Sequence, residues 1–303
     1  MYPEIADDSH ASDELMRLMR SYFTAKTNQN VAETMAHFSP SIVYSDAVLG
    51  WVMDYKNLRD VYAQFMPKWG DGQNYPTRLV GDDRSAIVFM TCTPELFGQE
   101  ALCVVAVDVR DGKIVRWVDY WDARHFGVVE AQQLEAARPR GKGEPFPESF
   151  GEEGLDTTAS ERMQTTCALL ASAMASSDAA AAASLFSWDC VFEDMTLRSQ
   201  LRGQLALERY LNRSLRALPY GADVTVRHVV GSDQGGGFEW TRDESLRGVT
   251  CLELDKAGAI TRMTSVWNGA LMANEAFRNL ALRTLEPDRA ARSAPARATP
   301  TQN

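Results

Sequence analysis

The chain is poor in the residues that build metal and redox sites. It has four histidines and five cysteines among 303 residues. His10, His37, His125 and His228 form no HxH or HExxH spacing, so no metal site is expected. Cys92, Cys103, Cys167, Cys190 and Cys251 are odd in number and include no CxxC. That excludes a disulfide framework and a zinc ribbon, and predicts buried, reduced thiols in a cytoplasmic protein. No Walker or Rossmann glycine motif occurs, and "GGG" at 235–237 reads as a hairpin turn. No GxSxG and no Ser/His/Asp set stands out. No cofactor is expected.

Positive charge is also scarce. Lys and Arg number 31 against 41 Asp and Glu, a formal charge of −10. Nucleic acid needs basic surfaces, so it is excluded as a partner, and an anionic membrane is disfavoured. No apolar run approaches the roughly 20 residues that span a bilayer. The opening "MYPEIADDSHASDE" lacks the apolar segment of a signal peptide.

What is present is a globular composition, 45% hydrophobic and 24% charged, in a length suited to two domains. The two halves resemble each other. "MAHFSPSIVYSDAVLG" lies over "ASLFSWDCVFEDMTLR", with Phe38/Phe186, Val43/Val191 and Asp46/Asp194 each 148 residues apart. Ile114/Ile260, Arg116/Arg262 and Trp121/Trp267 follow at 146, and "LVGDD" over "VVGSD" at 150. This order predicts a tandem duplication: domain 1 over 12–130, a Pro/Gly-rich linker over 131–158, domain 2 over 159–284 and a disordered tail over 285–303.

Each copy reads helix, helix, strand, helix, then a strand meander. Ser12 is placed to cap a helix carrying Leu15, Leu18, Met19, Tyr22 and Phe23 at helical spacing. Asp111-Gly112 marks a hairpin between the last two strands. His10 falls in a flexible start, and His228 near a strand end. The pattern predicts an α+β fold, each copy a curved antiparallel sheet with three helices on its concave face.

Three features carry a family resemblance. A hydrophobic strand ends in Asp and a turn, "VYSDAVLG" and again "VFEDMTLR". An amphipathic helix follows, clearest in "LRGQLALERYL". The last hairpin reads "DGKIVRWVDYWD". Together they resemble the NTF2-like superfamily, especially its SnoaL-like polyketide cyclases and ketosteroid isomerase. The resemblance implies two cone-shaped domains whose open mouth holds a small hydrophobic molecule.

Alternation puts Trp117, Asp119 and Trp121 on one strand face and Arg116, Val118, Tyr120 and Asp122 on the other. Because Arg116 matches Arg262, its face is expected to be the wetter one, with Asp119 pointing into the cone. A carboxyl there gains a raised pKa suited to proton transfer. The resemblance implies an acid/base role for Asp119 and, at the strand-end Asp-turn, for Asp46. It also implies Tyr22 as donor to an oxyanion. A second such donor is missing, since Val104 stands at its position. Asp122 reads as structural. Tyr44, Trp51, Trp69, Trp117, Trp121 and His125 are the expected substrate wall.

In the second copy Asp194 and Trp267 persist, while Leu170, Ser265 and Asn268 replace Tyr22, Asp119 and Asp122. That copy is expected to cover the first copy's sheet as an intrachain pseudo-dimer, or to hold a separate pocket using Glu239 or Glu253. The function implied is cofactor-free acid/base chemistry, a cyclisation or isomerisation of a polyketide- or terpenoid-like molecule. A dehydratase or epoxide hydrolase/cyclase, and a non-catalytic ligand-binding module, are the alternatives.

Overall fold

A computed structural model describes residues 5–125, 147–242 and 246–285. In the first half, β1 (Asp7–Ala11) leads into α1 (Asp13–Thr27), α2 (Val31–Met35), β2 (Phe38–Asp46), β3 (Trp51–Met53) and α3 (Tyr55–Phe65). Then come β4 (Asn74–Gly81), β5 (Ser85–Cys92), the single turn α4 (Pro94–Phe97), β6 (Ala101–Arg110) and β7 (Lys113–Tyr120). The sheet order is β1-β4-β5-β6-β7-β2-β3, with β2 parallel to β7. β1 was not foreseen: the stretch read as a flexible start pairs with β4.

The second half repeats the order without that leading strand. It comprises α5 (Glu161–Ala175), α6 (Ala179–Ser184), β8 (Phe186–Asp194), β9 (Ser199–Arg202) and α7 (Gln204–Ser214). β10 (Thr225–Gly231), β11 (Gly235–Thr241), β12 (Arg247–Leu254), β13 (Ile260–Trp267) and α8 (Asn274–Leu282) complete it. The sheet order is β10-β11-β12-β13-β8-β9. The protein is therefore α+β, with two open sheets built in the same strand order.

Local chemistry repeats with the elements. Ser12 and Ser160 cap α1 and α5 by accepting the N–H groups of Leu15 and Met163, each at 3.2 Å. Asn30 and Asp178 cap the second helices in the same way. Such caps satisfy backbone donors that the first helical turn leaves open. The Asp111-Gly112 hairpin forms with φ of 52° and 69°, the left-handed pair its tight turn requires. Each sheet curls around its own apolar core, one built on Leu15, Met19, Phe23 and Trp117, the other on Met163, Leu170, Phe192 and Trp240.

The sheets' other faces meet each other. Val80, Ile87, Phe89, Ala106 and Val118 pack with Val230, Val249, Cys251 and Val266. The face expected to be wet is thus dry, and Arg116 is 1% exposed. Its guanidinium pairs with Asp108 at 3.3 Å and Glu239 at 2.6 Å, and its Nε donates to the Phe150 carbonyl at 2.9 Å. Tyr120 donates to Glu239 at 2.7 Å, and His228, inside β10, meets Asp108 at 3.0 Å. Arg78 donates to Glu253 at 3.0 Å. Glu239 and Glu253, named as candidates for a separate pocket, make their contacts at this junction.

"GGG" is not a turn but the start of β11. A Cβ on Gly235 would lie 2.5 Å from Val80 Cγ1, so bare backbone lets the two sheets approach. Part of the Pro/Gly-rich stretch belongs to the same junction. Phe150 is buried in it, and Glu152 accepts from Arg227. Linker residues 131–146 and tail residues from 286 lie outside the described ones.

Candidate active site

The cone of the first domain holds a cavity of about 330 Å³. Its deep end is made by buried Lys26, Tyr44, Asp46, Asn74 and Asp119. Half-buried Trp51, Trp69, Leu96 and Phe97 stand at its outer end. The volume lies in the range of small-molecule pockets, and most of the lining is apolar.

Two carboxylates sit side by side there. Asp46 ends β2 and Asp119 lies opposite it on parallel β7. Adjacent strands run roughly 4.8 Å apart, and both side chains point into the cone. Asp119 accepts from the Tyr44 hydroxyl at 2.8 Å and from Trp117 Nε1 at 2.9 Å. Asp46 accepts the Val48 and Leu49 N–H groups, each at 2.8 Å, and Trp121 Nε1 at 2.9 Å. It therefore caps its turn and faces the cavity at once.

Burial raises both acids. Desolvation, then the charge of Asp119, pushes Asp46 up to about 7 against the pull of its three N–H donors. Asp119 is raised by burial too, with the Lys26 ammonium, Trp117 and Tyr44 opposing. Two such neighbours titrate as a pair. The Lys26 ammonium opposes the rise at Asp119, so it favours the charged form of that carboxyl.

Not every expected wall residue touches the cavity. Trp51, Trp69 and Trp121 line it, but Trp117 lies behind the wall, 0% exposed, stacked on Tyr44 at 5.9 Å. Tyr22 is also one layer back. Its hydroxyl meets Tyr62 at 3.1 Å and accepts from Lys26 at 3.1 Å. The His125 side chain lies outside the described residues. Asp122 binds Arg124 and accepts the Gly269 N–H at 3.1 Å, tying the strand end to the second domain.

Lys26, Tyr62, Asn74, Cys92 and Cys103 line the cavity without having been read as site residues. Lys26 had a signal: it follows Met19 and Tyr22 at helical spacing, on the buried face of α1. Asn74 donates to Cys92 Sγ at 2.7 Å, and a hydrogen bond with Cys103 lowers the Cys92 thiol. Asn74 Oδ1 and Trp51 Nε1 are buried without a hydrogen-bond partner among the described residues. No group of three or more His, Cys, Asp or Glu among the described residues could hold a metal ion. No helix among them is long and apolar enough to cross a membrane.

The second cone is built differently. Asp194 accepts the Leu197 N–H at 2.8 Å, the Tyr220 hydroxyl at 2.7 Å and Trp267 Nε1 at 3.2 Å. Burial raises it to about 6. Trp240 stands where Met90 stands in the first cone, and its indole covers Gly248, where a Cβ would be 2.3 Å away. Tyr220 packs on Trp240 at 5.8 Å between ring centres. Phe192, Tyr210, Tyr220 and Trp240 are all buried in this cone's core.

Residues 19–117 match the family described as SnoaL-like domain. No curated protein matches the chain. Among solved structures, a putative ketosteroid isomerase from Kribbella flavida is 22% identical, covering 46% of this chain and 94% of its own, at a TM-score of 0.33. A steroid delta-isomerase from Pseudomonas aeruginosa is 16% identical over 43% of this chain and 93% of its own, at 0.33. A SnoaL-like protein of unknown function from Burkholderia thailandensis is 11% identical over 36% of this chain and 96% of its own, at 0.32. The match to the SnoaL-like domain model thus falls in the first half of the chain, and the second half repeats the element order of the first.

Proposed function

We propose that the first domain is a cofactor-independent acid/base enzyme acting on a small, largely apolar carbonyl compound. The observation that carries this reading is the buried Asp46–Asp119 pair at the floor of an apolar cavity. Asp119 takes a proton from a carbon next to the carbonyl. The C–H electron pair becomes a C=C bond and the carbonyl π pair moves onto oxygen, giving an enolate. Asp46, or the protonated Asp119, returns a proton. Return at another carbon of the conjugated system is an isomerisation; attack of the enolate on a second carbonyl is a cyclisation.

Tyr44 and Trp117 orient Asp119, and the apolar surroundings raise its basicity above that of an exposed carboxylate. Trp51, Trp69 and Trp121 supply the wall against which an apolar substrate packs. The second domain, with Asp194 and Trp267, serves as an internal partner that buries the outer sheet face of the first.

The test is hydrogen–deuterium exchange at the α-carbon of an apolar cyclic ketone, followed by NMR. The wild type should accelerate exchange, with a rate that rises as the aspartate pair loses its proton, above the ordinary carboxylate range. Asp119→Asn can keep both hydrogen bonds, since its amide donates to Tyr44 and accepts from Trp117. It should lose on the order of 100-fold or more in exchange rate. Undiminished exchange by this variant would overturn the reading.

A further inference from the structure

We propose that Lys26 is the donor to the enolate oxygen, and that it makes the site selective for uncharged carbonyl compounds over carboxylates. The inference rests on the proton-transfer reading of the same cavity. It begins from an unusual placement: Lys26 is 4% exposed and lies on the buried face of α1, one turn after Tyr22. Lysines are almost never so buried without a partner.

Its surroundings fix the ammonium in place. Among the described residues its hydrogen bond is to the Tyr22 hydroxyl at 3.1 Å. The rings of Tyr22, Tyr62 and Trp117 lie around it at 5.3, 5.5 and 5.9 Å. Such rings attract a cation without neutralising it. An ammonium has three N–H donors. One is taken by Tyr22, and the cavity that Lys26 lines receives the others. Tyr22, expected as the oxyanion donor, instead positions the residue that does this.

Charge decides the ligand class. The floor holds one ammonium from Lys26 beside two adjoining carboxyl groups, and their closeness on neighbouring strands disfavours ionising both. A neutral ketone leaves that balance intact. Transfer of its α-proton to Asp119 only moves the negative charge, from the carboxylate to the enolate oxygen, and Lys26 faces both. A carboxylate ligand would add a second anion to a buried site with one cation, at a steep desolvation cost. The second domain is consistent with a matched set. Where the first has Tyr22, Lys26, Tyr44 and Asp119, the second has Leu170, Met174, Phe192 and Ser265.

The experiment uses 2-naphthol, an uncharged aromatic whose anion mimics an enolate and has its own absorbance and fluorescence. The full chain at neutral pH should bind it largely as the naphtholate. Lys26→Met introduces the residue the second domain carries at the matched position, so it should fold. Both Lys26→Met and Lys26→Gln should lower the ionised-to-neutral ratio of the bound probe about tenfold or more, one unit in its pKa. 2-Naphthoate should bind the wild type at least about tenfold more weakly than 2-naphthol. An unchanged ionised fraction in both variants would overturn the role of Lys26 while leaving the aspartate pair in place. Tighter binding of naphthoate would overturn the selectivity. Failure of 2-naphthol to bind the wild type would overturn the ligand pocket itself, and this inference with it.

Discussion

The two cones are one fold with two fillings. Both have a strand-end aspartate that accepts backbone N–H groups and a tryptophan Nε1, Asp46 with Trp121 and Asp194 with Trp267. That shared unit closes a turn, and the fold keeps it in either copy. Only the first cone adds Asp119, Tyr44 and Lys26 around an empty volume. In the second, Trp240 and Tyr220 occupy the interior and Tyr220 covers the aspartate. A buried carboxylate with a raised pKa is therefore not enough to mark a site. Asp194 has both properties but faces side chains, whereas the Asp46–Asp119 pair faces a cavity.

The largest effect should come at the junction that lets the halves differ. Arg116→Met leaves Asp108 and Glu239 buried without their cation. Removing one partner of a buried pair costs about 3–5 kcal/mol, and this network should lie near the upper end. Urea unfolding would measure it. A cost below about 1 kcal/mol would show that the domains do not depend on the contact.

Trp240→Ala should next erode the contrast directly. It empties the second cone at a cost of roughly 3–5 kcal/mol and opens a cavity that binds small apolar molecules. Calorimetry with such a probe would detect the new site.

The acids predict a pH dependence of similar but smaller size. Asp194 has a folded pKa of about 6 against an ordinary 3.8. The folded chain therefore holds a proton that the unfolded chain releases. Its contribution to stability is complete below 3.8 and is lost as pH rises through about 6. The span is about 3 kcal/mol. Asp46 acts with the same sign over a window reaching about 7. The stability difference between wild type and Asp194→Asn, followed by unfolding across this range, should fall with rising pH and then level off.

The smallest change in stability should come from the reciprocal substitution. Met90→Trp places the second cone's filler in the first. It should alter stability by no more than about 1–3 kcal/mol. Binding of apolar ligands should nonetheless drop about tenfold or more, as measured by calorimetry.

Sequence pattern carried the fold well because its signals were local. The cap at Ser12, the Asp111-Gly112 turn and alternating strands depend on neighbours a few residues away. The repeat then doubled each signal. What pattern missed depended on contacts distant in the chain. Arg116 reads as a surface charge until a second sheet covers it, and "GGG" reads as a turn until Val80 is found above Gly235.

The site was legible to the same degree. Alternation along β7 put Asp119 in the cone, and the repeat showed that the strand forms with Ser265 in its place. Asp46 and Asp119 came together because β2 and β7 pair in parallel, which no local pattern reports. Lys26 was passed over because a lysine on a helix is ordinarily solvated. Only its spacing from Met19 and Tyr22 set it on the inner face.

The central claim is that chemistry belongs to the first cone and packing to the second. A crystal structure of the full chain with a bound apolar cyclic ketone tests it most directly. The account predicts one molecule, in the first cone, with its α-carbon facing Asp119 and its oxygen within hydrogen-bonding distance of Lys26. A ketone seated against Asp194, or bound in the first cone with its carbonyl turned away from both residues, would contradict it.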